Sequence, residues 1–83
     1  MEYNYAAQRQ RILQSLRSRF GDTEMIDLTQ AAHLYGYKDI RKGKKQLQDI
    51  PAYEFGDRKV KYALTDIASD LAKRARLPGG EPL

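Results

Sequence analysis

A glycine stands inside a densely basic run. Five of the eight residues from Lys38 to Lys45 (KDIRKGKK) are basic, and Gly43 is among the other three. A glycine in a helix interior costs about 1 kcal/mol against alanine. Its presence there implies close packing against a second element. The preceding segment supplies one: Ala31 and Ala32 are small, and Gly36 permits the positive φ of a tight interhelical turn. Wound at about 3.6 residues per turn, Lys38 to Gln48 sets Ile40 and Leu47 on one face as anchors, with Gly43 near them. Lys38, Arg41, Lys42 and Lys45 fan across the opposite face. Lys44 is expected to lay its stem along the core edge and reach outward. Asp39 suits the start of this helix, as a cap or in the first turn.

The flanking segments follow their own periodicities. Residues 3–20 predict a helix whose stripe is Ala6, Leu13, Leu16 and Phe20, with Tyr5 and Ile12 at its edge, ending at Gly21-Asp22. Met25 and Ile26 read either as a short strand or as a packed linker. Thr29 is the expected N-cap of the second helix, with Leu28, Ala31, Ala32 and Tyr35 inward. Tyr35 and Tyr37 are expected to pack around the turn with their hydroxyls outward.

Pro51 excludes a helix at its position. Residues 52–55 and 60–62 alternate apolar and polar around the turn signal Gly56-Asp57-Arg58-Lys59. This predicts a β-hairpin with Tyr53, Phe55, Val60 and Tyr62 on a buried face and Glu54 and Lys61 on the other. Thr65 is the expected cap of a last helix, with Asp66 in its first turn and Ile67, Ala68, Leu71, Ala72 and Ala75 as its stripe.

At 83 residues the chain is read as one domain, residues 1–76, with a mobile tail over 77–83 that holds two prolines and two glycines. The absence of cysteine excludes disulfides, thiolate metal sites and thiol catalysis, and suits a reducing cytoplasm. No apolar run approaches the roughly 20 residues of a membrane span, and the polar N-terminus does not resemble a secretory signal. Charge is unevenly placed. Residues 1–28 and 64–83 each balance to zero, so the net charge of +4 lies wholly within 29–63, where eight bases face four acids. A nucleic-acid surface concentrates charge in this way, whereas a solubility surface spreads it.

Catalytic and metal chemistry find little support. His33 is the only histidine and has no cysteine near it, so it reads as an ordinary surface residue. Asp66 and Asp70 are spaced i, i+4 at a helix start, where carboxylates usually match the helix dipole. No serine has a partner base and no glycine-rich phosphate loop is present. Neither an enzyme nor a cofactor is expected.

The predicted order is helix, small-residue helix, basic helix, hairpin, helix. That is an α+β fold of the small winged helix-turn-helix type, with an extra N-terminal helix and a two-stranded wing. Arg58, Lys59 and Lys61 put a second basic cluster on the wing. Residues 27–37 (DLTQAAHLYGY), with Leu28-Thr29, small alanines and Gly36, resemble the opening helix and turn of the MerR/excisionase-like winged-helix group. Residues 50–59 (IPAYEFGDRK) look like that group's wing, and Leu64-Thr65-Asp66-Ile67 is similar to the start of the helix after it. The resemblance spans about residues 27–74 and implies that the basic helix reads a major groove while the wing meets adjacent backbone or minor groove. It places those roles on Lys38, Arg41, Lys42, Lys45, Arg58 and Lys59, and the charge pattern adds Lys44 and Lys61.

The expected function is therefore double-stranded DNA binding, by a small transcriptional regulator or an excisionase-like architectural factor of phage or mobile-element type. The alternative is a protein-interaction module, an antirepressor or adaptor whose basic face meets an acidic protein. The first helix packs within the domain or forms a homodimer contact, and the sequence leaves both open.

Overall fold

The computed structural model describes residues 4–56 and 59–75. It is a small α+β domain of four helices and a three-stranded antiparallel sheet. The elements run α1 (Tyr5–Phe20), β1 (Met25–Asp27), α2 (Leu28–Leu34), α3 (Ile40–Gln46), β2 (Tyr53–Glu54), β3 (Val60–Ala63) and α4 (Leu64–Arg74). The sheet order is β1-β3-β2. Arg58 and the tail over 77–83 lie outside the described residues.

Helix α1 starts at Asn4, whose side chain accepts from the Ala7 amide at 3.0 Å, and stops at Gly21, where φ is 73°. Its buried stripe is Leu13 and Leu16, with Ile12 and Phe20 packed alongside, while Ala6 is exposed. The stripe lies chiefly against α4, so it is used within the domain. Met25 and Ile26 belong to a strand: β1 pairs with β3, Ile26 opposite Tyr62, and both are buried.

Two expected caps are displaced. Asp27, not Thr29, caps α2; its carboxylate accepts from the Gln30 amide at 2.8 Å, and the Gln30 side chain accepts from the Asp27 amide at 3.1 Å. This reciprocal capping box satisfies two amides at once, which a threonine two residues on does not match. Helix α4 has Ala63 at its N-cap and no side-chain cap, because β3 runs straight into it. The Leu64 amide donates instead to the Glu24 carbonyl at 2.9 Å, tying the helix start to the chain entering β1. Asp66 sits in the first turn as expected.

The hairpin departs from expectation in register. A connection of four residues, 56–59, would set Phe55 opposite Val60. The observed pairs are Tyr53 with Lys61 and Glu54 with Val60, and the Phe55 amide donates to the Lys59 carbonyl at 3.1 Å. A slip of one residue turns every side chain of a strand to the other face. Val60 and Tyr62 remain inward, but Tyr53 and Phe55 share the outer face with Lys61 and are 40% and 56% exposed. They are not core residues.

The core draws on Leu13, Leu16, Ile26, Ala31, Leu47, Ile50, Tyr62, Leu64, Ile67 and Ala68, and it contains no buried polar residue. No helix among the described residues is long and apolar enough to cross a membrane.

Candidate nucleic-acid interface

The corner between α2 and α3 is built from backbone hydrogen bonds and missing side chains. Tyr35 closes α2, and Gly36 follows with φ 87°. The Gly36 amide donates to the His33 carbonyl at 2.9 Å and the Tyr37 amide to the Ala32 carbonyl at 2.9 Å. These two bonds form a Schellman motif, which satisfies carbonyls a helix end leaves unpaired. Gly43 lies over this motif. A Cβ added there would overlap Ala32 Cβ and come within 3.5 Å of Tyr37 Cβ. The expected close approach is present, and its partners are Ala32 and Tyr37.

Helix α3 is shorter than expected and begins at Ile40, with the Asp39 carboxylate accepting from the Arg41 amide at 2.9 Å. Only Gly43 is buried along its length, and Leu47 and Ile50 reach the core just beyond its end. Ile40 is not an anchor: it is 40% exposed. It is the first residue of the helix, three positions ahead of the Gly43 contact. The inward face is thus centred on Gly43 and Leu47.

Lys38, Arg41, Lys42, Lys44 and Lys45 are all exposed. None is in an ion pair or side-chain hydrogen bond with a described residue. Lys38 lies just before the helix. Arg41, Lys44 and Lys45 line a groove between α3 and the hairpin, together with Leu47, Gln48, Ile50, Ala52 and Tyr62. Lys44 is no more buried here than Arg41 and Lys45, which the wheel set on the opposite face. Lys59 and Lys61 are exposed on the hairpin, again without an ion pair to a described residue. Ions so placed keep full hydration in the free protein, and the Coulomb repulsion among them falls when an anion arrives.

A polar clamp absent from the sequence reading joins three helices. The Tyr35 hydroxyl donates to Asp70 Oδ2 at 2.7 Å, and Arg74 Nε donates to the same oxygen at 2.8 Å. The Arg74 guanidinium lies over the Tyr35 ring, 5.6 Å from its centroid, and its Nη2 donates to the Gln46 carbonyl at 3.3 Å. Tyr35 therefore turns its hydroxyl inward, not to solvent. Burial, then the hydrogen bond to the Asp70 carboxylate and its charge, push this hydroxyl far above its ordinary value, with Arg74 opposing. The clamp fixes the last turn of α3 against α4. Asp70 and Arg74 are an i, i+4 pair on α4, but Tyr35 and Gln46 are 28 to 39 positions from their partners there, and no local pattern links them to it.

Asp66 accepts from the Tyr53 hydroxyl at 3.3 Å and so does more than match a dipole. His33 is exposed at the end of α2. Among the described residues no three histidine, aspartate or glutamate side chains are grouped to hold a metal ion. Comparison with known proteins yields no match to a family model, to a curated protein or to a solved structure.

Proposed function

We propose that this domain is a winged helix-turn-helix that binds double-stranded DNA. In this reading α2 and α3 are the helix-turn-helix, α3 enters the major groove, and the β2–β3 hairpin is the wing on adjacent backbone or minor groove. The observation that carries it is the state of α3: five exposed cations, none in an ion pair with a described residue, on and beside a helix whose inward contact is a glycine. The helix gives almost nothing but its backbone to the core, so its long side chains remain available to a ligand.

The element order supports the reading, because a strand between α1 and α2 completes a three-stranded sheet with the hairpin. Arg41 has the planar fork that binds guanine edges or phosphate in pairs of hydrogen bonds, whereas the lysines act as point charges on phosphate. A small regulator or excisionase-like architectural factor, acting in the cytoplasm, is the role that suits a domain of this size and charge.

A gel-shift titration with duplex DNA tests the reading. With roughly five phosphate contacts, log affinity falls with log salt at a slope of about −4 to −5. Arg41→Ala with Lys45→Ala weakens binding about 10-fold or more. Unchanged affinity in the double variant overturns the role of α3. Binding to an acidic protein surface in place of duplex DNA moves the assignment to a protein-interaction module.

A further inference from the structure

We propose that the outer face of the sheet is a second nucleic-acid surface, a stacking site for the bases of a single strand. It shares Lys59 and Lys61 with the wing, but it is separate from the basic face of α3 and does not depend on duplex binding there.

The register builds the site. Cross-strand partners share a face, and alternate residues of a strand share a face. Tyr53 is opposite Lys61, and Phe55 is joined to Lys59 through its amide. Two aromatic rings and two lysines therefore stand together on the side of the sheet away from Ile26 and Tyr62. Both rings are open, Tyr53 at 40% and Phe55 at 56% exposure. The core does not explain them, because their inward-facing neighbours on β3 are Val60 and Tyr62.

The surroundings favour a polyanion with π-faces over a protein partner. Three of the surrounding carboxylates are engaged, while Glu54, between the two aromatic residues in sequence, is exposed. Glu24 pairs with Arg17 at 3.3 Å, Asp27 caps α2, and Asp66 accepts from the Tyr53 hydroxyl. The two lysines have no ion pair among the described residues. The two lysines can thus meet phosphate, and stacking on the rings carries the rest of the contact. Phe55 also borders a hollow with Thr23, Glu24, Met25 and Lys61.

Spacing fits as well. Residues two apart on a strand are separated by about 6.7 Å. Bases in a stacked strand rise about 3.4 Å each. The two rings therefore match neighbouring bases of a stretched single strand, with Lys59 and Lys61 reaching the backbone beside them. The hydrogen bond to Asp66 restrains Tyr53, which lowers the entropy lost on stacking. Stacking on an aromatic ring tolerates any base, so the site discriminates single strand from duplex more than one sequence from another.

Fluorescence anisotropy with a labelled oligothymidylate of about 16 nucleotides, a site size typical of such surfaces, tests the proposal beside a mixed-sequence duplex. Phe55→Ala is expected to weaken oligothymidylate binding about 10-fold and to leave duplex affinity within about two-fold. Phe55→Trp retains binding, and its indole emission is quenched on titration with the oligonucleotide. Phe55 is exposed, and thermal melting confirms that each variant folds. Arg41→Ala with Lys45→Ala gives the converse pattern: duplex binding falls and oligothymidylate binding stays. The proposal is overturned if wild type ignores the oligonucleotide, if Phe55→Ala binds it unchanged, or if either variant loses both ligands together. It is equally overturned if Phe55→Ala merely converts a dimer to a monomer in sedimentation, which makes the face a protein contact. Failure of duplex binding alone removes the role of α3 and leaves this site standing.

Discussion

Helix α4 buries Leu64, Ile67, Ala68 and Ala72 among its 11 residues, whereas α3 buries only Gly43 among its seven. The first is held by side chains that fill the core and make contact with α1 and the sheet. The second is held by the absence of a side chain, by the turn before it and by Arg74 at its end. The contrast shows two ways to fix a helix in a small domain. A helix fastened by apolar side chains keeps only part of its surface for a ligand. One fastened through its backbone keeps nearly all of it, at the cost of depending on a single close contact.

The contrast can be broken first at α4. Ile67→Ala removes a fully buried side chain and is expected to cost about 2–5 kcal/mol in urea unfolding; a loss well below this means that α4 is not held by its core residues. At α3 the equivalent change is an addition. Gly43→Ala gains about 1 kcal/mol of helix propensity, but its methyl meets Ala32, and overpacking of this kind costs about 1–3 kcal/mol. A net gain in stability would show that the corner has slack.

The clamp joining the two helices is sharpened by pH. The folded protein holds the Tyr35 proton more tightly than the unfolded chain does. Its contribution is complete below the ordinary value of 10.0 and is lost as pH rises past it. Tyr35→Phe is expected to cost about 1 kcal/mol at neutral pH and to flatten the alkaline fall seen in chemical denaturation. Tyr62, raised by burial, retains its own part of that fall. Smallest of all is Ile40→Ser, within about 0.5 kcal/mol; a core-sized loss would restore Ile40 as an anchor.

The helices were legible because each signal is local. Leu13 and Leu16 repeat at helical spacing, Gly36 punctuates a run, and Gly43 stands where only a close neighbour explains it. The cap of α2 was also written locally, in Asp27 with Gln30 three residues on. Thr29 masked it, being a good cap two positions later. The hairpin face was not legible, since it turns on one residue of loop length, and Tyr53 and Phe55 satisfy alternation in either register. Within the clamp the i, i+4 pair Asp70 and Arg74 is written locally, but its link to Tyr35 has no signature short of the fold itself. Of the candidate interface, the α3 cations were legible as a face, while Ile40 was misplaced because a wheel treats the first turn like the rest.

The packing of α1 on α4 sets when this molecule can fold. The two helices are the first and last elements of the described chain, and their contact closes the core. During synthesis Leu13 and Leu16 emerge early and lack their main partner, α4, until Ile67 and Ala68 have followed them. A nascent chain halted in the hairpin therefore carries the basic helix without a finished domain beneath it. Folding of this domain is a cooperative event that waits for α4, and release before α4 is made yields an incomplete core.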